Sequence, residues 1–580
     1  MKQRPERRDS AAVTRPRWEL SATGLCVLAL LVGSRAEAQI TIAGSDLDEF
    51  RNPVRISGEV GMYGELYGMS GRDSRRPPVT GRIYFRPVIT IANAATFSFD
   101  LLLSTEGSSA LAGQQINQLG VRPAWSWGYA NAGDFSEAYT PLTLNGLLIR
   151  GGSVTINPGL FRFSALGGYT RRSAYGSSSG RFDRYLYGGR IGIGSNEESH
   201  IDLQLLRTRD IPSKFELVTP DSIPSPDSTQ VGTPVASTQE APQENLVIGA
   251  SGALHLLEKR LRIQGEINGS VFTRDMTSAE LDAEKIPSAA RGLYTPRVSS
   301  YADLAYTVAM NLALSPVALR AAYRSIGPGY TSLGVASLIA DQREILLGAN
   351  IHSSGWTASL TWARQNDNLL GQKLYTTVRH RYSGSAMVRP LSVWNATVHG
   401  NLLRMGNSAP NDTALVRFLT LAIGTSQTVM FDRGTILQTV SVNYNYQKSA
   451  DENPLREGSR SHAHTISATA VMAFSEQITV VPSVSLVASR VAFQPGSSIT
   501  TYSLTPRYRS QDGAFVASLT LGLSRSRSVN SLVSTLRARY RLTDSSSLTL
   551  TYRRTGFRNG LQPSINYDEN VASLVLKQSF

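Results

Sequence analysis

The sequence predicts an all-β chain that forms a single large antiparallel transmembrane β-barrel of roughly 24–26 strands after a cleaved signal peptide. Three observations lead to this prediction. Runs of ten to fifteen residues alternate between apolar and polar side chains from about residue 53 onwards, with short turns between them. The chain stops on such a run without a tail, and its N-terminus carries an export signal. A sheet surrounded by lipid must close, because every backbone polar group needs a partner within the protein.

The predicted signal peptide comprises residues 1–38. An Arg-rich stretch precedes the apolar run LSATGLCVLALLVG, and Ala36 and Ala38 form a small-residue cleavage site before Gln39. A buried helix is the alternative. Because the one cysteine, Cys26, lies within the apolar run, the mature chain would have no disulfide, thiolate metal site or cysteine nucleophile. Residues 39–52 would form a short periplasmic segment, and residues 53–580 would form the barrel.

The alternating runs have the period of a strand with one apolar and one polar face. In RLRIQGEING, Leu261, Ile263 and Ile267 share one face, whereas Arg262 and Glu266 share the other. A soluble antiparallel sandwich also alternates. These runs, however, exceed the five or six residues typical of soluble strands, and aromatic residues often end their apolar faces. Both features favour strands that cross a membrane.

Composition agrees with this prediction. Hydrophobic residues make up 41% of the 580 residues and charged residues only 18%, below the roughly 25% of soluble domains. The net charge of +14 would ordinarily suggest nucleic-acid binding. The export signal argues against that use, so we expect no nucleic-acid partner and look for another role for the arginines.

The last run, VASLVLKQSF, resembles the final strand of Gram-negative outer-membrane β-barrel proteins. In that class, alternating apolar residues and a terminal Phe or Trp form an insertion signal. Leu574, Leu576 and Phe580 match this signal, whereas Gln578 departs from it. The resemblance implies an outer-membrane location, insertion by the barrel-assembly machinery, and contact with outer-membrane lipid and lipopolysaccharide.

Two segments interrupt the alternation with polar or helix-forming residues. Residues 210–243 are rich in Pro, Ser, Thr, Asp and Gln, which predicts a flexible, extracellular loop. An interdomain linker is the alternative. Residues 276–297 contain SAELDAEK, which predicts a loop with a short helix capped by a serine.

A third interruption, at residues 327–340, follows an alternating run and begins with a Gly-Pro-Gly bend. It predicts either a packed external loop or a constriction loop that folds into the lumen. The stretch from 323 to 334 resembles a segment of uncharacterised barrels from Bacteroidota-like bacteria, and this resemblance implies no activity. The matching residues are Tyr323, Arg324, Ile326, Pro328, Tyr330, Ser332, Leu333 and Gly334.

The region near residues 120–169 is rich in Gly, Pro and aromatic residues, which predicts short strands and tight turns, with part of the region folding inward. A barrel of 22 or more strands usually holds something in its lumen. The mature N-terminus QITIAGSDLDEF faintly resembles a TonB box, but alternating strands begin near Val54. That start leaves no room for a normal plug domain, so we disfavour a TonB-dependent receptor.

The main candidate site is a set of arginines that alternate with apolar residues. If the apolar faces meet lipid, the arginines point into the lumen, where rings of charge set ion selectivity. Two alternatives remain open: an internal network paired with acids such as Glu266, or rim arginines that bind lipid phosphates. The pore-lining candidates are Arg379, Arg381, Arg507, Arg509, Arg537, Arg539, Arg541 and Arg553.

Signals for enzymatic chemistry are weak. His462 and His464 share a strand face, but no third ligand accompanies them, so a coincidence at a strand end is favoured over a metal site. No nucleophile elbow and no catalytic carboxylate pair stands out, and the glycine-rich stretch at Gly151 has no phosphate-loop lysine. We therefore predict no enzymatic activity, no metal and no cofactor.

Together these patterns favour a porin-like outer-membrane channel for passive or gated passage of polar, anionic or mixed solutes. The alternative is a non-conducting scaffold, or a component of secretion or assembly, with an occluded lumen and a periplasmic or surface protein partner. A channel requires a continuous polar path lined by arginines such as Arg507 and Arg537. A scaffold requires those arginines to be paired with acids.

Overall fold

The computed structural model describes residues 54–580, except 93, 106–116, 172–181, 196, 212–240, 282–292, 432, 433 and 435. The predicted signal peptide and the segment 39–52 lie outside the described residues. So does most of the loop predicted at 210–243. No described helix is long and apolar enough to cross a membrane.

The described chain is all-β, as the sequence predicted, and contains 26 strands of 8 to 17 residues. The strands are β1 (Val54–Ser70), β2 (Val79–Ile91), β3 (Ala95–Ser104), β4 (Gln118–Trp125), β5 (Gly128–Ser136), β6 (Leu148–Ile156), β7 (Phe161–Arg171), β8 (Asp183–Gly194), β9 (His200–Ile211), β10 (Glu244–Leu256), β11 (Leu261–Thr273), β12 (Ser300–Leu314), β13 (Val317–Ile326), β14 (Gln342–His352), β15 (Trp356–Asn366), β16 (Thr377–Leu391), β17 (Trp394–Asn407), β18 (Arg417–Met430), β19 (Leu437–Asp451), β20 (Ser461–Ala473), β21 (Ile478–Val491), β22 (Ser497–Arg509), β23 (Phe515–Ser526), β24 (Val529–Thr543), β25 (Ser546–Asn559) and β26 (Tyr567–Ser579).

Each strand pairs antiparallel with the next one in the chain, and β26 pairs antiparallel with β1. This last pairing runs from Glu59 opposite Ser579 to Ser70 opposite Asp568. The sheet is therefore a closed barrel of 26 strands, within the predicted range. In this closed sheet, β26 supplies hydrogen-bond partners to β1.

The two ends of the barrel differ in the lengths of their connections. At one end the connections have two to six residues, such as 126–127 and 544–545. The start of β1 and the end of β26 lie at this same end. At the other end they reach 32 residues, at 212–243. Outer-membrane barrels have short periplasmic turns and longer extracellular loops, so we assign the long-loop end to the cell exterior.

The two faces of the sheet also differ. One face carries large apolar side chains on strands all around the barrel, and they are well exposed: 59% for Leu203 on β9, 61% for Leu360 on β15 and 58% for Leu532 on β24. The other face is mostly polar, and part of it is buried beneath two connections that pack on it. We call these the outer and inner faces. An apolar outer band on a closed sheet suits a barrel surrounded by lipid.

Candidate functional site in the barrel lumen

Two connections from the long-loop end fold onto the inner face. We call residues 137–147, between β5 and β6, the first inner segment, and residues 327–341, between β13 and β14, the second inner segment. Leu142 and Leu144 of the first and Tyr330 of the second are at most 1% exposed. They belong to one apolar cluster with inward side chains of the wall between β5 and β13. Its members are Phe135, Tyr139, Leu142, Leu144, Ile149, Leu166, Leu186, Leu206, Val247, Ala305, Ile326 and Tyr330.

The two inner segments also bond to each other. The backbone N–H of Asn145 donates to Gly334 O at 2.9 Å, and the two segments form a parallel bridge between Asn145 and Val335. The Tyr330 hydroxyl donates to Leu142 O at 2.9 Å. A side chain at Gly334 would meet a Leu206 methyl group at 2.3 Å, so only glycine allows this close approach. The segments therefore pack as one layer on the wall.

Buried polar side chains of the wall tie this layer down. Gln204 on β9 donates to Thr143 Oγ1 at 3.0 Å and to Asn268 Oδ1 at 2.8 Å, and all three side chains are at most 3% exposed. Asn245 on β10 donates to Thr331 O at 2.9 Å, and its Oδ1 accepts from the backbone N–H of Leu333. Buried polar groups are costly without partners, so these bonds fix the position of both segments.

Burial raises the pKa of Tyr139 in the first inner segment to about 12, and burial likewise raises the pKa of Tyr330 in the second. Both phenols therefore stay neutral at physiological pH. Neutral hydroxyls can donate hydrogen bonds, as Tyr330 does to Leu142 O.

Asp341 anchors the end of the second inner segment, just before β14. Burial alone would raise the pKa of Asp341. Its carboxylate, however, has Lys373 Nζ 2.5 Å from Oδ2 and accepts the backbone N–H groups of Leu369 at 2.8 Å and Asn368 at 3.0 Å. The net effect is that the pKa of Asp341 lies below its ordinary value. The stabilisation from this group is therefore present above about pH 3.9 and is lost as pH falls through the lower folded-state pKa.

We expect the second inner segment to loosen in acid. Hydrogen exchange of a peptide covering 327–341, corrected for the intrinsic rate, should accelerate below about pH 4 in the natural protein. Asp341→Asn keeps a residue that tolerates the local positive φ of 55° but cannot ionise. It should exchange faster at neutral pH and lose the acid-dependent step. An identical step in both proteins would assign the acid response to another group.

The eight pore-lining candidates all lie on the inner face and all are exposed, but they do not form one ring. Arg379 and Arg381 lie near the start of β16, at the long-loop end. The other six lie on β22, β24 and β25, mostly towards the short-turn end. Arg379 Nε lies 3.4 Å from Met405 Sδ. The eight predicted pore-lining arginines therefore form two groups at different depths along the barrel.

The second group forms rows across neighbouring strands. Arg507 and Arg537 both lie opposite Ser518, and Arg509 and Arg539 both lie opposite Val516. The two arginines of each row are two strands apart, roughly 9.6 Å at about 4.8 Å per strand. A basic wall of this kind raises the local concentration of anions.

Two of these arginines have partners. Arg553 lies 3.4 Å from the carboxylate of Glu569, and Arg541 donates to Asp512 O at 3.0 Å. Within the part of the chain that the structure describes, no acid lies within ion-pair distance of the following candidates: Arg381, Arg507, Arg509, Arg537 and Arg539.

Sequence reasoning missed a charged network beside this wall, at the β26–β1 seam. Lys577 Nζ lies 2.5 Å from Glu59, Glu59 lies 3.6 Å from Arg86, and Arg86 lies 2.8 Å from Asp100. All are inner-face residues of β26 and β1 to β3. The only sequence signal was their polar position in alternating runs, and the pairings depend on the register of the closed sheet.

Other candidate residues lie elsewhere. Glu266, suggested as an acid partner for the arginines, instead accepts from Asn268 at 2.8 Å on β11, half the barrel away from β24. His462 and His464 lie on the outer face of β20. In the described ranges no group of three or more His, Cys, Asp or Glu residues could hold a metal.

Leu574 and Leu576 lie on the outer face of β26, opposite Leu550 and Leu548, and Phe580 follows the strand. Whether they act as an insertion signal stays a prediction. The described ends of the segment 276–297 contain no helix and are joined by a bridge between Glu280 and Arg297.

The closed 26-stranded sheet with its apolar outer band makes this chain a β-barrel protein of the Gram-negative outer-membrane type. A Bacteroidota-like origin stays a prediction. No protein-family model and no curated protein matches the sequence.

Several solved structures are similar at low identity. The siderophore receptor PirA from Pseudomonas aeruginosa is 10% identical over 91% of this chain and 80% of its own, with a TM-score of 0.40. The FrpB iron transporter from Neisseria meningitidis is 10% identical over 92% of this chain and 83% of its own, with a TM-score of 0.38. A chain of the E. coli P pilus tip assembly intermediate PapC-PapD-PapK-PapG is 10% identical over 93% and 62%, with a TM-score of 0.41. All these TM-scores are below 0.5.

Proposed function

We propose that this protein is an outer-membrane transport protein, exported through its N-terminal signal, whose lumen passes polar and preferentially anionic solutes. The observation that carries this proposal is the contrast between the two sides of the inner face. The wall of β5 to β13 is covered by the two inner segments, whereas the wall of β22 to β25 presents exposed arginines. The inner segments narrow the lumen, and the arginines attract anions to the remaining path.

The alternative function is a non-conducting scaffold or secretion component. The buried layer formed by the inner segments favours it, since it fills part of the lumen. The Arg553–Glu569 contact also agrees with an internally paired network. In this alternative, the exposed arginines would bind an acidic segment of a periplasmic or surface partner.

The test is the current through single proteins. The chain from Gln39 onwards would be refolded and inserted into a planar bilayer under a potassium chloride gradient. We expect steady conductance with a reversal potential on the anion-selective side. A triple variant, Arg507→Gln, Arg537→Gln and Arg539→Gln, should lower the anion-to-cation permeability ratio about threefold or more, since one kT of potential changes local ion concentration about e-fold.

Arg525→Gln is the matched control, because Arg525 is exposed on the neighbouring strand β23 but on the outer face. It should leave the ratio unchanged. Inserted, folded protein without current would reject the channel and support the scaffold. Current with equal selectivity in the triple variant would keep the channel but reject the arginine-lined path.

A further inference from the structure

Two rows of basic side chains lie on the outer face at the long-loop end, separate from the lumen. In the first row, Arg364 on β15 is directly opposite His380 on β16, which is directly opposite Arg404 on β17. In the second row, Lys448 on β19 is opposite His462 on β20, which is opposite Arg490 on β21. The arginines and the lysine are exposed.

Such rows are unfavourable by themselves. Strands are about 4.8 Å apart, so the two permanent cations of each row, Arg364 with Arg404 and Lys448 with Arg490, lie within about 10 Å of each other across a histidine. Like charges at this distance repel each other. Within the described ranges, no acidic side chain is within ion-pair distance of either row. By contrast, Arg207 on the outer face of β9 is paired with Glu244 at 2.9 Å.

Both rows lie where the apolar band ends. Immediately towards the membrane, the first row is followed by Trp362 opposite Tyr382, and the His380 ring centroid is 6.4 Å from each of their rings. The second row is followed by Tyr446 opposite His464. Aromatic side chains mark the membrane–water interface of outer-membrane barrels. The basic rows therefore lie at the level of lipid headgroups.

The first row also borders a groove of about 530 Å³. Arg404 and His380 line this groove together with Gly406, which lies opposite Arg417. His380 Nδ1 is buried and has no hydrogen-bond partner among the described residues. Among the described residues that line the groove, the one acid is Glu452, in the loop after β19. The groove thus offers several unused donors to an anion.

We propose that the two rows bind phosphate groups of a phosphorylated lipid headgroup, that of lipopolysaccharide, in the leaflet around the long-loop end. Charge-assisted bonds from Arg and Lys to phosphate are the strong class of hydrogen bond. A phosphate between the two permanent cations of a row converts their mutual repulsion into attraction, and the histidine between them can add a hydrogen bond. This binding is independent of transport through the lumen.

Native mass spectrometry of the detergent-purified mature protein with purified lipopolysaccharide tests the proposal. We expect retained lipid, and at least a tenfold weaker affinity when either row is neutralised, as Arg364→Gln, His380→Gln, Arg404→Gln or as Lys448→Gln, His462→Gln, Arg490→Gln. Each basic group near an anionic lipid surface contributes enough for several-fold in affinity. Arg260→Gln, an exposed cation in a short turn at the other end, should have no effect.

Two further arms separate the sources of phosphate. Phosphatase-treated lipid should bind as weakly as the row variants, and inorganic phosphate in moderate excess should not displace intact lipid. Equal retention of dephosphorylated lipid, or unchanged binding by both row variants, would overturn the proposal. Displacement by inorganic phosphate would assign the rows to the free ion instead.

A variant that keeps every charge guards against misfolding of the row variants. Within 4 Å, a Cβ at Gly406 would meet only Val416 O, at 3.6 Å, so the backbone there accommodates a side chain, and Gly406→Val places an apolar group in the groove. It should weaken binding at the first row alone. Unchanged binding by folded Gly406→Val would place the lipid outside the groove and contradict the site.

Discussion

Replacement of Tyr330 by alanine should release the second inner segment from the wall. The Tyr330 side chain is 1% exposed, and its hydroxyl bonds to Leu142 O. Truncation of a buried aromatic side chain typically costs about 3–5 kcal/mol. If this cost falls on local opening, exchange of the amide protons in 327–341 should accelerate by roughly 100-fold or more. Hydrogen exchange followed by mass spectrometry measures this directly.

Tyr375→Ala is the matched control, since Tyr375 lies in the loop between β15 and β16 and is 38% exposed. Its effect on exchange should be less than twofold. In the same preparation, Tyr330→Ala should increase single-channel conductance if the inner segments narrow the path. Protection unchanged in Tyr330→Ala would mean that the second inner segment is held by the hydrogen bonds of Asn245 rather than by the apolar cluster.

The alternation of the sequence was sufficient to predict the strands and their faces. Arg537, Arg539 and Arg541 were assigned to the face opposite Leu536 and Tyr540 because side chains alternate along a strand, and β24 follows that rule. Closure followed from the physics of lipid, since an open edge would leave backbone groups without partners. Both predictions depend on local patterns only.

Depth in the barrel could not be predicted in the same way. Arg379 lies at the long-loop end and Arg509 at the short-turn end because β16 and β22 run in the same direction but carry their arginines at opposite ends. The sequence predicted one set of lumen-facing arginines, and the structure divides this set into two groups at different depths. Assigning depth requires the limits of every strand, whereas alternation gives only the face.

The inner segments show the same limit. The region rich in Gly and aromatic residues predicts inward folding only in general terms, and the segment 327–340 is compatible with a packed external loop or a constriction loop. The contact of Tyr330 with Leu142 joins residues 188 positions apart. Asn245, which holds the second inner segment, had no sequence signal beyond a polar residue at an alternating position. Such contacts arise from tertiary packing, not from local preference.

Loss of the buried ion pair on the inner face of β7 and β9 should strongly lower the free energy of unfolding of the barrel. Arg162 on β7 and Asp202 on β9 form a two-point pair at 2.7 and 3.1 Å, with side chains 4% and 2% exposed. Asp202→Ala would remove both of these bonds to a buried guanidinium, and removing one partner of a buried ion pair typically costs about 3–5 kcal/mol. Urea unfolding of the barrel in lipid vesicles should report this loss.

The same measurement distinguishes a buried charge from a general loss of contacts. Replacing both partners, as Arg162→Met with Asp202→Leu, should restore most of the stability, because no unpaired charge remains. Asp568→Asn, which breaks the exposed pair with Arg558, should cost less than about 1 kcal/mol.

Gly192 leaves room for the Asp202 carboxylate, since a Cβ there would lie 2.1 Å from Oδ1. Gly192→Ala should therefore destabilise the barrel as well. If neither Gly192→Ala nor Asp202→Ala changes the free energy of unfolding, the ion pair contributes little to stability.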